Sequence, residues 1–362
     1  TCALPIYNIG KTMKITKILV ALSFLFAVAT ANAGELTVTG SMEATYNSQG
    51  GNTTGNPLGT DRELKFSGST ELDNGVTVTV MQDTTDALGY GDNLITFGNV
   101  MGMVDIYVGA DGGPVDAIDD ITPSAYEEAW GSGAGTINDI GTGVAGQMGI
   151  GLKATLPYLG AVNFKYVPKA DSTENADNAN SGTAGNSVGS AESITIKTNL
   201  GDLPAIGSAL DGLVLTTGYE SVETSKTANT ADSHDATVAV NYTIGQFALG
   251  VQKKLHNEGE TTTAADEVFY KDMVYGVSYA VNDALSLSYN RYDSYRHNNA
   301  LGTNAGNEDS EQSITAFNIG YTVGGMTIGF QEASTDNAGW VKDAEDDSRT
   351  LGLSVAFRSE ER

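Results

Sequence analysis

In Thr315-Ala316-Phe317-Asn318-Ile319-Gly320-Tyr321-Thr322-Val323-Gly324-Gly325-Met326-Thr327-Ile328-Gly329-Phe330 the side chains alternate. Thr315, Phe317, Ile319, Tyr321 and Val323 share one face. Gly324-Gly325 turns the chain, and Met326, Ile328 and Phe330 take up the same face again. A period of two is the mark of a half-buried strand, and a two-glycine connection between two such runs is a hairpin turn.

The same unit recurs on both sides. Leu36, Val38, Gly40, Met42, Ala44 and Tyr46 alternate with Thr37, Thr39, Ser41, Glu43 and Thr45. That run is about ten residues, the length a tilted strand needs to cross a bilayer. Leu64, Phe66, Gly68, Thr70 and Leu72 turn at Asp73-Asn74-Gly75 into Val76, Val78 and Val80. Asn-Gly is the strongest short hairpin signal. Leu94–Gly98 and Val104–Val108 flank Asn99-Val100-Met101-Gly102, and Met148–Leu156 and Ala161–Val167 flank Pro157-Tyr158-Leu159-Gly160. Ser193–Leu200 leads through 201–212 to Leu213, Leu215, Thr217 and Tyr219. Two hairpins turn at Gly245-Gln246 and Asn282-Asp283, and Leu351, Leu353, Val355 and Phe357 form the last strand. The spacing predicts an all-β chain of about sixteen strands. Short turns alternate with long loops at 47–61, 83–93, 110–147, 168–192, 222–234, 254–270, 292–312 and 331–349. An even strand number with short turns at one rim and long loops at the other predicts a transmembrane antiparallel β-barrel. Closure pairs every backbone group and leaves no edge in lipid. Tyr46, Tyr166, Tyr219, Tyr242, Tyr289 and Phe357 lie near strand ends, as in interfacial aromatic girdles; aromatics also favour strands in general.

The segment 110–147 lacks strand alternation. It carries Asp111, Asp116, Asp119, Asp120, Glu127, Glu128 and Asp139 and no Lys or Arg. Thr122-Pro123-Ser124-Ala125-Tyr126-Glu127-Glu128-Ala129-Trp130-Gly131 predicts one short helix, capped by Thr122, with Pro123 at its first position and Gly131 closing it. Long loops without secondary structure are usually functional or disordered. The expectation is an acidic loop, the third at its rim, folded into the barrel lumen; a disordered surface loop is the alternative.

Met13-Lys14-Ile15-Thr16-Lys17, an apolar core over Ile18–Ala29 and an Ala-x-Ala ending at Ala33 predict a secretory signal peptide over 13–33. Residues 1–12 and 358–362 read as non-native extensions, leaving a barrel over 34–357. The chain has 19 Lys+Arg, 45 Asp+Glu and a formal charge of -26. That balance argues against a basic nucleic-acid-binding surface. Simple solubility, or an acidic proteome, explains it equally well. Cys2 is the single cysteine, so no intrachain disulfide framework exists. After the N-terminal region no run of about 20 apolar residues forms a membrane helix.

These features together resemble the general diffusion porins of Gram-negative bacteria, in particular the alphaproteobacterial type. The resemblance implies a homotrimer in the outer membrane. It implies that the amphipathic last strand, Leu351, Leu353, Val355 and Phe357, is read by the barrel-assembly machinery. It further implies that the third outer loop narrows the pore against basic residues on the opposite wall. Parity places Lys65, Lys153, Lys165 and Lys197 inward, because a slip of one residue would turn each toward lipid. Tyr107 also points inward by parity. Seven loop carboxylates against four ammonium groups predict weak cation preference; scattered luminal charges without a specific role are the alternative.

Asp116, Asp119 and Asp120 could hold Ca²⁺, and Asp343, Glu345, Asp346 and Asp347 could bridge through divalent ions to lipopolysaccharide. The spacing matches no EF-hand, and a solvated acidic loop is the competing reading. His234, His256 and His297 fall in expected outer loops, and no catalytic pairing, phosphate loop or zinc spacing is legible, so no enzyme is expected. The function expected is passive diffusion of small hydrophilic solutes and ions without a cofactor. The rivals are a substrate-specific channel, a plugged structural or adhesin barrel, and a soluble secreted β-repeat protein.

Overall fold

A computed structural model describes residues 36–50, 55–84, 89–168, 188–204, 207–224, 232–259, 266–300 and 310–358. The expected signal peptide over 13–33, the segment 1–12 and residues 359–362 lie outside these. The strands are β1 (Leu36–Gln49), β2 (Leu58–Glu71), β3 (Thr77–Thr84), β4 (Tyr90–Val100), β5 (Val104–Ala110), β6 (Gly149–Leu156), β7 (Gly160–Val167) and β8 (Val188–Asn199). They continue as β9 (Leu213–Thr224), β10 (Ser233–Ile244), β11 (Phe247–Asn257), β12 (Asp266–Ala280), β13 (Leu285–Ala300), β14 (Ser310–Val323), β15 (Met326–Asp336) and β16 (Glu345–Arg358). Each pairs antiparallel with its neighbours in sequence, and β1 pairs with β16 to close a sixteen-stranded barrel. Among the described residues no helix is long and apolar enough to cross a membrane, which says nothing against crossing by strands.

Local chemistry makes the turns. Between β2 and β3, Asn74 Oδ1 accepts from the Val76 N–H at 3.2 Å, and Gly75 sits at φ 81, a left-handed conformation that glycine adopts without strain. The connection 200–212 is the one long join at the short-turn rim and folds into two single-turn 3-10 helices, Leu200–Asp202 and Gly207–Ala209.

The barrel is apolar outside and polar inside. Phe66, Leu152 and Val240 are exposed at 40%, 38% and 36%, whereas Gln252, Asn318 and Gln331 on inward positions are at 0%. This inverts a water-soluble protein and suits a lipid exterior. The strands run further toward the long-loop rim than the alternation predicts. The loop expected at 331–349 shrinks to 337–344, and within the loop expected at 292–312 β13 runs on to Ala300 and β14 begins at Ser310. Above the apolar band both faces are polar, as at Arg291, Asp293, Glu332 and Arg349, so alternation fades while the backbone ladder continues. The three histidines therefore belong to β10, β11 and β13 and not to loops. Arg358, expected outside the barrel, ends β16 and pairs with Thr39.

Candidate functional site

The candidate site is the inner polar face together with the acidic segment between β5 and β6. The expected helix over Thr122–Gly131 is absent. That stretch is turns and bends, and the one helical turn in the segment is a 3-10 turn at Asp116–Ile118. The reason is competition for backbone groups, many of which bond to strand side chains, leaving isolated turns such as Gly131 N–H to Glu128 O. Gln252 on β11 donates to Ile118 O at 2.7 Å and accepts from Ile121 N–H at 3.2 Å. Gln331 on β15 donates to Glu128 O at 2.6 Å and accepts from Ser132 N–H at 2.7 Å. Gln312 on β14 donates to Thr136 O and accepts from Thr136 N–H. A glutamine amide offers a donor and an acceptor side by side, so it replaces a neighbouring peptide without burying a charge. Asn290 donates to Pro123 O at 2.9 Å, and Ser288 Oγ accepts from Ala125 N–H at 2.9 Å.

Close seating also needs room. Inward positions carry Gly218, Gly250, Gly276, Gly320, Gly329 and Gly352, where a Cβ would collide with Ile118, Pro123, Ala125 or Tyr126. Apolar packing finishes the seam. Ala129 and Ala134 are buried with Val274, Tyr292, Ile314, Ala316 and Ala333, and Trp130 and Ile137 pack onto that cluster.

The segment returns along β10, β9 and β7. Asp235 Oδ2 accepts from Gly141 N–H at 2.7 Å, and Glu220 Oε1 accepts from Gly143 and Val144 N–H at 2.8 and 3.1 Å. His256 pairs with the other oxygen of Asp235, so this imidazole supports an anchor of the segment.

The four lysines expected to form a basic row do not form one. Lys165 is fully buried at the neck of the segment, 2.5 Å from Asp111 Oδ1 and 3.5 Å from Val144 O, and so ties its two ends together. Lys153 lies over the Tyr107 ring at 4.9 Å. Tyr107 points inward as expected, its hydroxyl 3.1 Å from Asn163 Oδ1. Lys153 and Lys197 line a cleft of about 580 Å³ beside Pro114, Ala117 and Ile118. Lys65 alone stands on the strands the segment leaves bare, and it pairs with Glu63 at 3.3 Å. Sequence parity is silent about what covers each lysine.

The wall opposite is acidic. Glu43 lies across from Asp61, and Lys65 from Asp83, in the β1–β2 and β2–β3 registers. Glu43 accepts from the Tyr126 hydroxyl of the segment at 2.6 Å. In the segment itself, Asp120 and Asp139 are exposed, and Asp111, Asp116, Asp119, Glu127 and Glu128 are half-buried. Burial, reinforced by neighbouring carboxylates, pushes Asp116 up to about 6. Burial and Asp120 push Asp119 up to about 7, and burial with Glu128 and Glu43 does the same for Glu127. Burial also raises Glu128. Asp116, Asp119 and Asp120, the expected calcium ligands, lie in and just after the 3-10 turn. Among the described residues no three His, Cys, Asp or Glu side chains are arranged to hold a metal ion.

Sequence reasoning missed the glutamine clamps, the glycine seat and Lys254. Lys254 was expected in a loop and sits fully buried on β11. The available signal was inward parity: all but Gln312 follow or precede an outward apolar residue, as Gln331 follows Phe330 and Gly329 precedes it.

A closed barrel with an apolar exterior and a polar interior defines an outer-membrane pore protein. The family profile described as Gram-negative porin matches residues 19–312, so the chain belongs to the Gram-negative porin family and to the outer membrane. A comparison with curated proteins gave no match. Solved structures with similar folds include the anion-selective porin from Comamonas acidovorans, at 14% identity and TM-score 0.63, covering 90% of this chain and 100% of that one. OmpT of Vibrio cholerae in a trimer form has 11% identity and TM-score 0.61, with 90% and 100% covered. OmpF of Salmonella typhi in complex with daunomycin has 14% identity and TM-score 0.59, with 90% and 98% covered.

Proposed function

We propose that this porin is a passive, water-filled pore for small hydrophilic solutes and ions, narrowed by the acidic segment and preferring cations. The observation that carries the reading is an acidic segment without Lys or Arg beside an inner wall that is itself rich in carboxylates. Glu43, bonded to Tyr126 of the segment, stands with Asp61, Glu63 and Asp83 on β1–β3, while Lys165 is consumed at the neck and Lys65 is paired with Glu63. Such a lumen concentrates cations, and screening over about 8–10 Å at physiological salt keeps the preference finite. The fold does not set the sign, since the similar barrel from Comamonas acidovorans is anion-selective; side chains do.

The same reading takes the pore as non-catalytic, because His256 and Asp235 are spent on anchoring. It takes the assembly as a homotrimer in contact with lipopolysaccharide, and Leu351, Leu353, Val355 and Phe357, all lipid-facing, as the assembly signal. The test is the reversal potential of the purified protein in a planar bilayer under a potassium chloride gradient. The expected sign is cation preference, with conductance proportional to salt. Anion preference would overturn the charge argument, and saturation by one solute would overturn passive diffusion.

A further inference from the structure

Lys254 is the strangest charge in the molecule. Its side chain is fully buried, and its Nζ has no hydrogen-bond partner. A bare ammonium in that position is costly unless something replaces water. Two rings do so: Nζ lies 5.1 Å from the Trp130 ring centroid and 5.6 Å from that of Tyr292. The rings meet edge to face at 5.1 Å, so the cation sits at the junction of the segment, which supplies Trp130, and the wall, which supplies Tyr292. Asp272 stands directly across from Lys254 in the β11–β12 register and leaves one oxygen without a partner. On the segment, Asp119 and Glu128 both feel the Lys254 charge, which opposes the effect of their burial.

We propose that Lys254 is a positioning residue that holds the acidic segment against the barrel wall by clamping its ammonium between Trp130 and Tyr292. The clamp needs a cation of the right reach rather than a packing volume. It is distinct from the glutamine clamps, which grip backbone: Lys254 grips one side chain and gathers the nearest carboxylates around it. Losing a desolvated cation–π contact shifts the attached-to-detached ratio of the segment by about thirtyfold. The clamp itself stands independently of the proposed narrowing of the pore; only its consequence for ion flow rests on that reading.

The chain supplies its own reporter, because it has two tryptophans. A Trp340→Phe background leaves Trp130 as the sole indole, read by acrylamide quenching and emission maximum in detergent micelles. In that background Lys254→Met is expected to raise quenching several-fold and shift emission to the red, and Lys254→Arg to restore shielding. Equal shielding of Trp130 in Lys254→Met would overturn the proposal, and so would exposure in Lys254→Arg. Single-channel recording separates the two readings: Trp130 released with larger, noisier conductance supports both. Trp130 released with unchanged conductance keeps the clamp and removes the narrowing. Heat-modifiable migration on gels checks folding. If Lys254→Met does not assemble, Trp130→Leu takes its place, with raised open-channel noise supporting the clamp and unchanged noise overturning it.

Discussion

On β9–β16 the inward positions carry Gly218, Gly250, Gly276 and Gly329 for clearance and Gln252, Gln312 and Gln331 for grip. On β1–β3 they carry Glu43, Asp61, Glu63, Lys65 and Asp83, and the segment touches this arc at β1, where Glu43 accepts from Tyr126 at 2.6 Å and Asn47 and Gln49 donate to Ser132 O and Gly133 O at 2.6 and 3.4 Å. The two arcs share one backbone geometry and differ in what they face. The covered arc is built like a protein interior, with buried amides and carboxylates gripping backbone groups of the segment and small residues where backbones approach. The bare arc is built like a surface, with charges left for water and passing ions. The position of the segment thus follows from the wall it fits, and the cation preference proposed above rests on the wall it leaves mostly uncovered.

The hardest blow to this contrast would be to spoil the seat. Gly329→Val places a branched side chain where the Tyr126 ring lies. Overpacking of this kind costs about 1–3 kcal/mol, which the segment meets by lifting from the wall. The expected outcome is increased conductance and faster entry of larger sugars in liposome swelling, and an unchanged size cutoff would count against the seat. Next, neutralising the bare arc with Glu43→Gln, Asp61→Asn, Glu63→Gln and Asp83→Asn should cut the cation-to-anion permeability ratio several-fold while the barrel stays folded. Two charges about 7 Å apart in water interact by roughly 0.6 kcal/mol, so the effect should accumulate with each residue removed. An unchanged reversal potential would show that the bare arc does not set the sign.

Acidification should act more gently. Asp116, Asp119 and Glu127 have values raised to about 6, 7 and 7, chiefly by burial. A carboxyl raised in the fold binds its proton before the unfolded chain does. The fold therefore gains from these groups as pH drops toward their ordinary range and loses that gain as pH climbs through 6 to 7. Between pH 8 and pH 5 the segment sheds negative charge, and cation preference should decline with a midpoint near 6 to 7, followed by reversal potential. A flat profile across that window would remove the segment from the selectivity path. The smallest effect is the control outside the lumen. Arg349→Gln breaks an exposed pair with Glu332 at 2.6 Å on the outer wall. Exposed pairs are worth about 0–1 kcal/mol, so thermal stability should hardly move and the reversal potential not at all.

Much of the barrel could be read directly from residue order. Alternation is a local property, and Phe66, Leu152 and Val240 declare their outward side to any reader who counts by two. So do the turns at Asn74-Gly75 and Gly324-Gly325, whose conformations depend on the residues in them. Strand ends above the apolar band were harder, because Arg291, Thr315 and Glu332 make both faces polar while pairing continues. The site was legible only as a list of carboxylates. Lys65 and Lys165 have the same inward parity, yet one stands in the open lumen and the other is sealed at 0% exposure beneath Asp111 and Val144. Period-two reasoning says which side of a sheet a residue takes and nothing about what is laid over it. That was decided by contacts between residues far apart in the chain, such as Ser132 with Ser348 and Tyr126 with Glu43, which exist only once the barrel has closed and brought β16 beside β1.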